Sequence, residues 1–169
     1  MFIRTKKIYG QDYAYLVKNT WTGGGARQKV AKYLGKVHRP EKVRNRTFQE
    51  HISGQGPEDY FNSREFKEIL NELIKLELHN HGLDDQYYVV GSEFKTLSGK
   101  DIVVAMNTGH LCTDTVKVLH DYKTENDDGF MLASLITAAG LNVEQEIFVL
   151  LFEKAKAESA QQPKGEFYY

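Results

Sequence analysis

The chain has 169 residues, 41% hydrophobic and 27% charged, which is typical of a soluble globular protein with one domain or a domain and a small module. It has no apolar run near the roughly 20 residues of a membrane helix, and its start MFIRTKKIYG lacks a secretory signal. Its single cysteine, Cys112, excludes an internal disulfide. We therefore predict a cytoplasmic protein with no membrane partner. The formal net charge is only −1, so attraction to a charged partner must come from local clusters.

The first twenty residues predict a β-hairpin. Residues 2–9 and 12–19 are rich in β-branched and aromatic side chains, and Gly10-Gln11 between them suits a tight turn. A second turn is predicted at the run Gly23-Gly24-Gly25.

The segment RQKVAKYLGKV (27–37) fits two patterns. Val30, Leu34 and Val37 have helical spacing, yet Val30 and Leu34 also lie on one side of a strand, with Lys29 on the other. Periodicity alone does not decide between a helix and a third strand.

A resemblance bears on that choice. The order Tyr13-x-Tyr15-Leu16-Val17-x-Asn19, a glycine loop, Arg27-Gln28-Lys29-Val30 and Tyr33-Leu34-Gly35-Lys36-Val37 resembles the N-terminal module of insertion-sequence transposases. The resemblance covers residues 1–40 and implies a hairpin followed by a third strand over 27–34. It also implies that this module contacts DNA.

The middle of the chain is predicted as a linker followed by a helix. Residues 38–62 contain two of the three prolines and show no sustained period, and we place the linker proper at 48–62. Asn62 with Glu65 forms a capping-box pattern, and an apolar face of helical spacing then continues from Phe66 until Gly82.

The C-terminal part is predicted to be mostly helical. Residues 86–94 and 100–107 are interpreted as a second hairpin with a turn at 97–99. Helices are predicted over about 111–122, over 129–139 after Asp128, and over 143–158 with Asn142 as the N-cap, before an aromatic tail.

The predicted fold class is therefore α+β. It consists of a small basic three-stranded N-terminal sheet module and a mostly helical C-terminal domain that contains a β-hairpin. The predicted division is a β-rich module at 1–47, the linker at 48–62, an acidic domain at 63–160 and a tail at 161–169.

Charge is distributed very unevenly along the chain. Residues 1–47 hold twelve Lys and Arg against Asp12 and Glu41, a net charge of +10, and the other 122 residues carry −11. Such asymmetry indicates an anionic partner at the basic end, whereas the alternative is that the basic segment docks on the acidic one within the molecule. The candidate nucleic-acid-binding residues are Arg4, Lys6, Lys18, Trp21, Gly24, Gly25, Arg27, Lys29, Lys32, Lys36, Arg44 and Arg46.

The aromatic residues of the module have two interpretations. Tyr13, Tyr15 and Val17 form a small core under the hairpin or, less favourably, stack on bases. For Trp21, at the glycine loop, packing and ligand contact are equally favoured, and the glycines permit close approach to a nucleic-acid backbone.

Two histidine clusters are candidate metal sites. His79 and His81 are followed by Asp84 and Asp85, and His110, Cys112 and Asp114 lie close in sequence to His120. Neither spacing matches a known ligand pattern, so we predict no metal and no other cofactor. His79 and His81 are interpreted as charges near the C-terminal end of a helix, and Cys112 as a buried small residue.

Catalysis is not predicted. DNA strand transfer needs three separated acidic residues within a longer sheet-centred domain, and nucleotide-binding and GxSxG serine-hydrolase motifs are absent from the sequence. We predict a non-catalytic nucleic-acid-binding protein, possibly transposon-derived, that holds DNA or structured RNA with its basic sheet. The acidic domain is predicted to form a homodimer or to bind a protein partner. The alternatives are a small metal-dependent enzyme that acts on a polyanion and a ribosome-associated accessory protein.

Overall fold

The computed structural model describes residues 1–124 and 129–161 and shows an α+β fold. Asp128 and the tail after Gln161 lie outside these ranges. No helix within them is both long enough and apolar enough to cross a bilayer. The elements are β1 Phe2–Ile8, β2 Gln11–Thr22, β3 Gly25–His38, α1 Phe48–His51, α2 Pro57–Asn62, α3 Phe66–Asn80, β4 Tyr87–Val90, β5 Glu93–Thr96, β6 Val103–Met106, β7 Gly109–Leu111, α4 Thr113–His120, α5 Phe130–Ala138 and α6 Gln145–Gln161.

The predicted N-terminal hairpin is present, but its turn lies one residue earlier than expected. Ile8 pairs with Gln11, so Tyr9 and Gly10 form the turn and both have positive φ, 48° and 80°. Two consecutive positive φ angles characterise the turn that matches the right-handed twist of a hairpin. The prediction at Gly10-Gln11 was wrong because glycine occupies the second turn position and not the first.

The strand interpretation of 27–34 is confirmed, since β3 pairs with β2 along most of its length. Two register shifts leave one residue of β3 without a direct partner in β2 at each point. Leu34 is skipped because Ala14 pairs with Gly35 and Tyr15 with Tyr33. Ala31 is skipped because Leu16 pairs with Lys32 and Val17 with Val30. Such bulges reverse which side of the sheet the following residues occupy. The strand pattern that places Val30 and Leu34 on one side is therefore interrupted by the bulges, and Val30 is 57% exposed.

The second hairpin is connected differently from the prediction. Strand β4 pairs with β5 across a Gly91-Ser92 turn, whereas β6 pairs with β7 and runs parallel to the end of β3. The five-stranded sheet has the order β1-β2-β3-β6-β7 and joins both predicted domains. Val103 and Val104 are both fully buried, because β6 is covered on both faces as an interior strand.

The segment 48–62, predicted as a linker, is instead folded. It forms α1 and α2, and the Phe48 ring packs edge-on against Tyr60 and Phe61 at centroid distances of 5.6 and 5.7 Å. These aromatic residues belong to the main core, which is why a segment without long periodicity is ordered. Asn62 ends α2, and α3 begins after Glu65, which forms a capping box with Glu68.

Helix α3 forms the centre of the main core. Its predicted apolar face is buried, and Ile69, Leu70 and Ile74 are fully inaccessible. Glu77, on the same face, is only 3% exposed and accepts hydrogen bonds from the Asn107 side chain at 2.9 Å and from the Asn142 backbone N–H at 3.1 Å. The carboxylate thereby ties α3 to the β6–β7 turn and to the loop before α6.

The three C-terminal helices are present close to their predicted positions. Helix α4 is shorter than predicted, α5 begins after Gly129, and α6 continues to Gln161. Ile147 and Leu151, from the apolar run IFVLLF (147–152), are buried in the core, and so is Ala155 one turn further on.

Glu72 of α3 makes stability depend on pH. Hydrogen bonds from His51 at 3.2 Å and from Lys75 at 2.6 Å lower the pKa of Glu72 to about 2. A carboxyl whose pKa is lower in the folded chain stabilises it above the unfolded pKa, and this contribution is lost as pH falls toward the folded value. We expect urea unfolding to show stability falling between about pH 5 and pH 2. The fall should be shallower in Glu72→Gln, and equal slopes would contradict this role.

Candidate nucleic-acid interface

Strands β1–β3 form a three-stranded ribbon, residues 2–38, of which only the end joins the rest of the sheet. Strand β6 pairs with β3 at Val37 and His38 only. Beyond that contact, residues 26–33 of β3 are all exposed. Because directly paired residues project to the same side of a sheet, the register assigns each side chain to one of two faces.

The first face of the ribbon, called here the aromatic face, has three rows that run across the strands. The rows are Phe2–Val17–Val30, Arg4–Tyr15–Tyr33 and Lys6–Tyr13–Lys36. The Tyr33 ring lies 5.3 Å from the Tyr15 ring and 6.4 Å from the Tyr13 ring, and Tyr33 is 55% exposed. Tyr13 and Tyr15 are half-buried and support the exposed Tyr33, and Val17 of the neighbouring row is buried.

The opposite face, called here the cationic face, has two basic rows near the ribbon tip. Lys18 lies directly across from Lys29, and Thr20 lies across from Arg27. The three basic side chains are exposed, and the Thr20 hydroxyl donates to the Arg27 carbonyl at 3.1 Å. Like charges placed directly opposite destabilise a strand pair, so an anion that bridges them removes a cost present in the free protein.

Lys32 lies on the same side as Lys18 but is already paired. Its ammonium group contacts Asp114 at the start of α4 at 2.9 Å, and this hydrogen bond raises the pKa of Lys32. Lys32 therefore connects the ribbon to the acidic part of the chain, as the internal-docking alternative predicts for such residues.

Arg44 and Arg46 lie beyond the ribbon, against the end of α3. The Arg44 guanidinium donates to the His79 carbonyl at 2.8 Å and contacts Asp84 at 3.4 Å. The Arg46 backbone exchanges two hydrogen bonds with the Asn80 side chain. The twelve predicted site residues are thus divided among the aromatic face, the cationic face with the tip, and this separate position.

The ribbon tip carries the predicted glycine loop. Gly23 and Gly24 form the turn, because Thr22 pairs with Gly25, and Trp21 beside the turn is 83% exposed. A Cβ atom on Gly24 would meet nothing within 4 Å, whereas Gly25 has a φ of +111° that side chains rarely adopt. Trp21 is thus not packed into a core of the described residues, and its contact with a ligand stays a prediction.

The ion pairs show how many basic residues of the N-terminal segment contact carboxylates in the acidic part of the chain. Among the described residues, only Lys32 and Arg44 of the twelve basic residues in 1–47 form ion pairs with later carboxylates, and Arg39 pairs with Asp12 at 2.6 Å. The other nine form no ion pair within the described ranges; these are Arg4, Lys6, Lys7, Lys18, Arg27, Lys29, Lys36, Lys42 and Arg46.

The histidine clusters do not converge. His79 contacts Asp84 at 2.9 Å on the surface, whereas His81 is buried and bonds the Glu77 carbonyl. Over residues 1–124 and 129–161, no three His, Cys, Asp or Glu side chains lie close enough together to hold a metal ion.

In the second histidine cluster, Asp114 and His120 each contact a residue outside the cluster. Asp114 pairs with Lys32, and His120 lies 2.9 Å from the Asn71 amide oxygen. Burial lowers the pKa of His110 and raises the pKa of the Cys112 thiol, so both groups favour their neutral forms at neutral pH. A neutral thiol is a poor nucleophile.

Sequence reasoning missed two exposed residues of the aromatic face, Tyr33 and Gln28. The pattern Tyr13-x-Tyr15 is visible in the sequence, but the side on which Tyr33 lies depends on the bulges at Ala31 and Leu34. Predicting that Tyr33 lies beside Tyr15 requires the pairing register of β2 and β3, which the sequence pattern does not supply.

Comparisons of this chain with family models, with curated proteins and with solved structures find no match.

Proposed function

We propose that this chain is a non-catalytic nucleic-acid-binding protein that holds DNA or structured RNA with its ribbon. The observation that carries the proposal is the set of nine basic residues of the first 47 that form no ion pair within the described ranges. Phosphate groups attract exposed Lys and Arg whatever the sequence, and counterion release makes this attraction strong at low salt.

The arrangement of the cations supports a polyanion over a small anion. Lys18, Lys29 and Arg27 project from the cationic face near the tip, while Arg4, Lys6 and Lys36 project from the other side. A single small anion can reach cations on only one side of the ribbon, whereas a phosphate backbone offers a negative charge at each nucleotide. Beyond Val17 the ribbon consists of β2 and β3 alone, and a two-stranded ribbon fits a major groove.

The proposed origin and protein partner follow from the ribbon sequence and from the charge of the acidic part. The transposase-like order of the ribbon sequence supports a transposon-derived protein, and we place its action in the cytoplasm. The acidic helical part is proposed to mediate a homodimer or to bind another protein, since its surface charge repels the nucleic acid that the ribbon attracts.

Fluorescence anisotropy of the full chain tests the proposal. Labelled duplex DNA and a hairpin RNA are titrated at several salt concentrations, with polyglutamate as a non-nucleic polyanion. We expect affinity for at least one nucleic acid to fall steeply between about 50 and 200 mM salt, with weaker binding of polyglutamate. Absence of binding, or affinity independent of salt, would refute the proposed function.

A further inference from the structure

The aromatic face contains a depression of about 440 Å³, a volume within the range of small-ligand sites, about 300–1,000 Å³. Val17 is 2% exposed, and the lining also includes Tyr15 and the exposed Val30. Arg4 and Gln28 provide polar groups at the same depression. It therefore combines an apolar surface with hydrogen-bonding groups, as small-molecule sites do.

The polar groups of the depression are hydrogen-bonded to each other and retain further N–H donors. Arg4 Nη1 donates to Gln28 Oε1 at 2.8 Å across β2. Arg4 forms no ion pair with a carboxylate within the described residues, so its partner there is a neutral amide. The other guanidinium N–H groups and the Gln28 amide nitrogen are donors, and they match the acceptor atoms on the edge of a nucleobase.

The Tyr33 ring adjoins this depression. The Tyr15–Tyr33 row lies next to the Val17–Val30 row on the same face, and the half-buried Tyr15 is common to the ring cluster and the depression. An exposed tyrosine ring is a stacking surface for a base, provided that the base is not already stacked within a duplex.

We infer that the aromatic face binds single-stranded nucleic acid, with an unpaired base stacked on Tyr33 and its edge against Arg4 and Gln28. This inference rests on the proposed function and assigns base contact to one face of the ribbon. Lys6 and Lys36 flank Tyr13 in the adjacent row and are placed to contact the phosphates of neighbouring nucleotides.

Charge selects this occupant over a second copy of the chain. Arg4, Lys6 and Lys36 surround the tyrosine cluster, and no ion pair neutralises them within the described ranges. Two aromatic faces brought together would place these cations against one another, which costs free energy. A nucleotide supplies both the aromatic surface and the negative charge that complete the face.

The test compares two single strands that differ only in their bases, with duplex DNA as a third ligand. The full chain is titrated by anisotropy with single-stranded oligodeoxycytidine, with an abasic strand of the same length, and with duplex DNA. We expect the base-containing strand to bind at least about fivefold more tightly than the abasic strand, the lower end of single-base stacking effects. Tyr33→Ala should lose this preference while duplex binding is unchanged, and Tyr33→Phe should keep it.

The outcomes separate the two proposals. Because Tyr33 is 55% exposed, its truncation is expected to leave the fold intact, and circular dichroism checks this. Equal affinity of the parent chain for the base-containing and abasic strands would overturn base contact and leave phosphate binding standing. A Tyr33→Ala variant that folds and keeps the preference would also overturn it. Failure of the parent chain to bind any of the three ligands would overturn base contact, and failure to bind the hairpin RNA as well would overturn the proposed function.

Discussion

Replacing Arg27 and Lys29 together by alanine is expected to weaken nucleic-acid binding by at least about tenfold at low salt, since each hydrogen bond to a charged group contributes about 1.5–3 kcal/mol. The slope of log affinity against log salt should fall by about one to two, because up to two phosphate contacts are lost. Salt-dependent anisotropy of the full-length variant measures both quantities.

The stability of the same variant provides an independent check. Removing Lys29 relieves its direct opposition to Lys18, so the free energy of unfolding should be unchanged or slightly higher. A matched control, Lys100→Ala with Lys117→Ala, removes two exposed cations from outside the ribbon and should change binding little. A double Arg27/Lys29 variant that binds normally but unfolds readily would show that these side chains serve internal docking.

Replacing Gly109 by alanine is expected to destabilise the fold by about 3 kcal/mol or more, at or beyond the usual upper range for overpacking. A Cβ atom at Gly109 would lie 2.1 Å from the Thr137 carbonyl oxygen and 2.3 Å from the Gly140 backbone nitrogen. Both obstacles are backbone atoms, so relief requires β7 and the end of α5 to move apart. Urea unfolding measures the loss.

Gly24→Ala is the matched control for this substitution. A Cβ atom there meets nothing within 4 Å, and the backbone of Gly24 is not in the left-handed region. Its stability should match the parent within about 0.5 kcal/mol, as for ordinary surface changes. If Gly109→Ala were equally mild, the close approach of β7 to α5 would not contribute to stability as argued.

Sequence reasoning succeeded where a pattern depends on neighbouring residues. The apolar face of α3 and the buried residues of α6 follow from helical spacing, and the ribbon strands follow from local composition together with the resemblance. Sequence reasoning failed where contacts between segments distant in sequence determine the structure. The two-sided burial of Val103 and Val104 and the contact of Gly109 with Gly140 join segments that no local pattern connects.

The candidate site shows the same division. The excess of basic residues at the N-terminal end is visible in composition, and the exposed Trp21 lies beside the glycine turn that the sequence predicts. The division of those residues into a cationic face and an aromatic face was not predictable. It depends on the bulges at Ala31 and Leu34, and a bulge depends on how two strands pair.

The same two bulges affect the behaviour of the ribbon in concentrated solution. An exposed strand edge is a template for aggregation, and outside Val37 and His38 no described strand pairs with the outer edge of β3. Irregular positions at Ala31 and Leu34 prevent a second β3 from docking in one regular register, and Lys residues along the strand repel it. We therefore expect the ribbon to keep a long open edge without edge-to-edge aggregation.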